Sequence, residues 1–274
     1  MRTWLAAAVM LVAAAATPLA AQEDSLARAL VERVAPVGEA AEWLVRYDRF
    51  AWVSSDSVMA ADPALLQQLG PEWFCDTVDG AWHAFYGRFD PATDRYRIVF
   101  HYQGGDGRPL RSTTAPVDSS RLTGVARAIH NTYARLPRPF AEGRVRLNWY
   151  VRRLPGDGVG VTILPAYQPN GVLVFGGEGH FLWDSAGRQL LDSTYLFSGF
   201  RGIRPDTTVE LTIPAEDLEQ PSIGQMFFLL SYHRWFRKLY IRTRYGLTTV
   251  FVGADGEEAI LTTVRPPEPK RSPS

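Results

Sequence analysis

The chain is 274 residues long, 46% hydrophobic and 21% charged, with 29 basic and 29 acidic side chains and one cysteine. These values describe an ordinary globular composition and exclude a collagen-like repeat, a disulfide-stapled miniprotein and a multi-span membrane protein. A formal net charge of zero argues against a dedicated nucleic-acid binder, which needs a basic excess against the phosphate backbone.

The N-terminus carries the most specific signal. Arg2 is a short positive region, Trp4 to Ala16 is unbroken apolar sequence, Thr17 and Pro18 interrupt it, and Leu19-Ala20-Ala21 offers small residues for cleavage before Gln22. This three-part pattern predicts a secretory signal peptide over residues 1–21, with an uncleaved anchor as the alternative. Cleavage removes a single charge, Arg2, so the mature chain stays close to neutral, with no transmembrane span expected in it. The expected location is therefore exported, periplasmic or extracellular.

Lys238 and Lys270 are the only lysines, so arginine supplies nearly all of the positive charge. Lysine-based covalent catalysis is accordingly not expected. The lone Cys75 has no internal disulfide partner, which leaves stability to the core, and a free cysteine is expected to be buried.

In chain order, Asp24 or Ser25 is placed to cap a first helix through Leu26, Leu30 and Val34, with Pro36 and Gly38 expected to break it before a second piece at 40–47. Residues 62–69 read as a short helix ended by Gly70-Pro71. The period then changes to two, giving strands at 72–77, 81–89 and 95–102 with turns at Asp79-Gly80 and 90–94. A helix capped by Asp118 or Ser119 follows, with Leu122, Val125, Ile129, Tyr133 and Leu136 on one face, and Pro137 and Pro139 stop it. From Arg144 onward strands are predicted almost without interruption: 144–154, 158–165, 171–175, 180–183, 189–196, 208–213, 226–233, 238–244, 247–252 and 259–264. Residues 265–274 are Pro-rich and polar and are expected to be disordered. The sum is an α+β fold of mostly antiparallel sheet with about three helices in the N-terminal half. Residues 22–264 are read as one domain, with 137–143 as the alternative subdomain boundary.

The sequence carries no zinc helix, paired cysteines, nucleophile elbow, phosphate loop or acidic calcium loop,. Three weaker constellations remain. The segment Gly176-Gly177-Glu178-Gly179-His180 places an acid and a base beside a glycine bend; the plain alternative is a bulged hairpin. Strand register supplies the second. A two-residue turn at Asp79-Gly80 sets Asp76 opposite His83, and a five-residue loop at 90–94 sets His83 opposite His101, with Cys75 on the other, apolar face. Two histidines and a carboxylate suit a divalent metal such as zinc that activates water, the alternative being a polar row on a sheet face. Thirdly, Tyr232, His233, Arg237, Tyr240, Arg242 and Arg244 mix aromatic surface with positive charge, as an anionic ligand requires.

With no catalytic signature, the leading expectation is a non-catalytic binding or structural protein of the cell envelope. Its basic-aromatic surface would meet a small anionic ligand or an envelope partner protein, without a cofactor. The alternative is a secreted metal-dependent hydrolase on Asp76, His83 and His101.

Overall fold

The computed structural model describes residues 18–105, 107–136, 145–154, 156, 158–196 and 199–264, with side chains from residue 32 to 263 among these. The segments 1–17, 137–143 and 265–274, which carry most of the expected signal peptide, the alternative boundary and the tail, lie outside the described residues.

Val34, Gly38, Ala41, Leu44, Tyr47, Ala51, Ser54 and Val58 are all buried and recur every three or four positions. That stripe winds one uninterrupted helix, α1 (Pro18–Met59),. The expected break at Pro36 does not occur. Proline removes one hydrogen bond from a helix interior, but Pro36 lies on the exposed side, and the buried stripe carries the helix across it. Asp62 caps the short α2 (Pro63–Leu66) through its side chain, with proline at the first helical position as its fixed φ favours,.

The chain divides into two compact units: Arg46–Ile203, and the described residues of Met1–Val45 with Arg204–Ser274. In the first, β1 (Phe74–Val78), β2 (Ala81–Asp90), β3 (Arg95–Gly105) and β4 (Arg108–Ser112) form an antiparallel sheet in sequence order. One face carries Cys75, Trp82, Ala84 and Tyr86 and packs on the second half of α1, where Tyr47 and Phe50 meet Trp82 and Ser54 Oγ meets Tyr86 Oη at 2.8 Å. The other face carries Phe74, Phe85 and Phe89 and packs on α3 (Ser119–Ala134). Cover on both faces explains why β2 is buried along almost its whole length rather than alternating,.

A second antiparallel sheet has the order β5 (Leu147–Arg153), β6 (Val159–Pro165), β8 (Glu178–Trp183), β9 (Leu190–Leu196), and a small pair joins β7 (Leu173–Phe175) to β10 (Arg201–Ile203). Val151, Val161, Ile163, Phe181 and Trp183 close the same core from the far side of α3. Fully burying side chains of this size contributes about 1.5–3 kcal/mol each. Asp118 caps α3 by accepting from the Ser120 and Arg121 amides at 3.0 and 3.1 Å.

In the other unit, β11 (Asp206–Ala215), β12 (Phe236–Thr243), β13 (Gly246–Val252) and β14 (Glu258–Val264) form one sheet, in which β11 and β12 run parallel. A parallel pair needs a crossover, and α4 (Ile223–Tyr232) supplies it,. Residues 226–233 are therefore helical over most of their length, not the strand expected. The run Met226-Phe227-Phe228-Leu229 is apolar enough to fit either period; the deciding signal is the reciprocal capping box of Ser222 and Gln225 ahead of it,.

The fold is α+β, with antiparallel strands dominating. Among the described residues no helix is long and apolar enough to cross a membrane.

Candidate functional site

The N-terminus of α3, the start of β3 and the turn after β8 enclose a cleft of about 930 Å³. Its walls carry Arg95, Arg121, Arg127, Arg153 and Arg188, against only two lining carboxylates, Asp94 and Asp118. Two aspartates order these guanidinium groups. Asp94 accepts from Arg127 Nε and from Arg188, each at 2.6 Å, and these bonds hold its carboxyl below the usual carboxylate range. Asp76 accepts from Arg121 and, at 3.2 Å, from Arg153 Nε. Arg127 also donates to the Ala186 carbonyl. Among the described residues, the buried Arg121 Nε has no hydrogen-bond partner.

Local chemistry brings these groups together. Asp94 sits at φ 55°, a left-handed position that aspartate tolerates, and ends the β2–β3 loop with its carboxylate turned to α3,. Asp184 accepts from the Arg188 and Gln189 amides at 2.6 and 3.0 Å and closes the opposite turn. Gly124 lets that turn approach the helix: a Cβ there would lie 2.4 Å from the Ser185 carbonyl oxygen. Sequence reading missed this cleft because its arginines come from four separate elements. The available signal was Arg127, buried within the apolar face of α3.

The expected Asp76–His83 pairing is present. Between β2 and β3 the register differs: His83 faces Gln103, and His101 faces Phe85. Asp90 pairs with Arg95, so the loop has four residues, capped by the Asp90 carboxylate accepting from the Ala92 amide and Thr93 hydroxyl. A bulge near Gly87 then adds a second one-residue slip. Two slips restore parity, so the histidines still share a face, and His83 Nδ1 and His101 Nε2 lie 2.8 Å apart. That face is the buried core side rather than a solvated one. Burial depresses both imidazoles, His101 to about 4 with a further contribution from His83. Asp76 turns to Arg121 and Arg153 instead of joining them. Among the described residues no three His, Cys, Asp or Glu side chains are grouped to hold a metal ion.

The basic-aromatic segment is split between elements. Tyr232 ends α4 and His233 lies in the 3-10 turn His233–Trp235. His233 and Arg234 both engage Glu258, at 3.1 and 2.7 Å, and Arg237 engages Glu210 at 2.8 Å. Tyr240 and Arg242 share the outer face of β12, opposite the buried Leu239 and Ile241. Arg244 follows the strand and donates to the Asp217 carbonyl at 3.4 Å. Much of the local positive charge is thus matched by carboxylates, and the adjoining hollow, lined by Asp206, Arg234 and Trp235, measures about 440 Å³.

Glu178 and His180 stand two residues apart on one face of β8, their side chains 2.6 Å apart. The glycine bend before them is a packing device: a Cβ on Gly176 would lie 2.0 Å from the Gly199 carbonyl oxygen, and one on Gly177 would strike the Phe200 ring.

Compared with protein-family models, curated proteins and solved structures, the chain matches none.

Proposed function

We propose that this protein is a binding protein that holds a small anionic ligand in the arginine-lined cleft at the N-terminus of α3. The observation that carries the reading is the convergence of Arg95, Arg121, Arg127, Arg153 and Arg188 on one concavity. Guanidinium groups present planar forks of donors that match carboxylate and phosphate oxygens, and they bind best when their orientation is fixed beforehand. Asp76 and Asp94 supply that fixing, each holding two arginines. A volume of about 930 Å³ suits a small molecule rather than a polymer. The leader-like N-terminus supports an exported location, periplasmic or extracellular, for this binding activity.

Calorimetric titration with inorganic phosphate and with citrate tests the reading. Binding should weaken with added salt and fall by about tenfold or more, roughly 1.4 kcal/mol, in the double variant Arg127→Ser/Arg188→Ser. Equal affinity in wild type and variant, or no binding of either anion, would overturn it. The surface residues Arg237, Arg242 and Arg244, changed together to serine, serve as the comparison. Loss confined to that triple variant would move the ligand to the β12 face.

A further inference from the structure

The β6–β8 register sets Thr162 directly opposite His180. Thr162 Oγ1 lies 3.0 Å from His180 Nδ1, and His180 Nε2 lies 2.6 Å from Glu178 Oε1. An ionised carboxylate only accepts hydrogen bonds, so Glu178 fixes the proton on Nε2. Nδ1 is then left with its lone pair toward the threonine hydroxyl, which donates to it. Glu178 is buried, with 6% of its side chain exposed, while His180 keeps 26% and Thr162 is half-buried. The orienting group is therefore inside, and the histidine it orients is partly exposed. A nucleophile in contact with a base, and the base oriented by a third group, is the arrangement that activates a hydroxyl, wherever in a fold it occurs.

We propose that Thr162, His180 and Glu178 form a hydrolytic site for small carboxylic esters, separate from the arginine cleft. Thr162 Oγ attacks the ester carbonyl carbon while its proton passes to His180 Nδ1. The tetrahedral adduct expels the alcohol oxygen, which takes that proton, and leaves an acyl-threonine. Water then attacks the acyl carbon, giving a proton to His180. Thr162 Oγ departs with that proton and the acid is released, so ester and water become acid and alcohol. Glu178 holds the imidazole and stabilises its charged form without itself becoming protonated.

The test uses the full chain with p-nitrophenyl acetate as substrate and a fluorophosphonate as covalent probe. Hydrolysis should fall about a hundredfold in Thr162→Val and in His180→Gln, and persist in Thr162→Ser; peptide mapping should place the phosphonate on residue 162. Circular dichroism should show that Thr162→Val, close in shape to the original, remains folded. Rates for Thr162→Val within twofold of wild type, a label on another residue, or no hydrolysis and no label at all would each overturn the proposal. Phosphate at concentrations that fill the arginine cleft should leave the rate of ester hydrolysis unchanged, which separates this site from the anion-binding reading.

Discussion

His101 shows how a single buried side chain couples the core to pH. Burial and the neighbouring His83 lower its imidazole to about 4, whereas the unfolded chain titrates near 6.5. Below about 6.5 the unfolded state binds a proton that the native state refuses, so stability is full above that value and is lost as pH falls toward 4, by up to about 1.4 kcal/mol per pH unit. Denaturant unfolding at pH 7, 5.5 and 4.5 should show this slope, and His101→Gln should flatten it. An unchanged slope in the variant would assign the acid sensitivity to other groups. At the same scale Cys75 lies where alternation along β1 predicts, fully buried on the face shared with Ala84, with burial raising its thiol well above the usual value. Such a thiol is a core side chain, not a nucleophile.

Among elements, the contact of α3 with the turn 184–187 positions the arginine cleft. It depends on two glycines. Gly187 takes φ 68°, and a Cβ on it would lie 2.2 Å from the Gly124 carbonyl oxygen. Alanine in a helix interior is ordinarily favoured over glycine by about 1 kcal/mol. At position 124 the clash is with backbone, which does not move aside, so steric cost outweighs propensity. Gly124→Ala should destabilise by about 1–3 kcal/mol and weaken phosphate binding, as thermal unfolding and calorimetry would show. A stabilised variant would mean that the turn has room to shift. The β2–β3 hairpin illustrates what alternation leaves open at this scale. Alternation assigns faces, and faces survive a slip of two; loop length and bulges assign partners.

On the scale of the molecule, the unit Arg46–Ile203 contains its own core, from Phe74 and Phe85 through Leu122 and Ile129 to Ile163 and Trp183. A fragment of residues 46–203 should therefore fold alone, with a cooperative thermal transition and retained phosphate binding. A broad, non-cooperative melt would show that its stability depends on the rest of the chain. The second unit rests on a parallel strand pair whose members are separated by α4. Parallel pairing of distant strands is invisible to local periodicity, which is why an apolar run between them reads equally well as a strand.

The sequence by itself determined the α+β class, most strand positions, the capped helix after Asp118, the burial of Cys75 and the shared face of His83 and His101. All of these follow from periodicity, turn chemistry and capping, which act over a few residues. Tertiary structure alone decided the unbroken α1, the helical crossover, the true hairpin register, the arginine cleft and the place of Thr162 beside His180. Arg127 reaches Asp94 across 33 residues, Arg188 reaches it across 94, and Arg153 reaches Asp76 across 77. Thr162 meets His180 only through strand pairing. Charges and hydrogen-bonding groups attract by distance in space, and no local pattern records which of the many arginines will share a cleft.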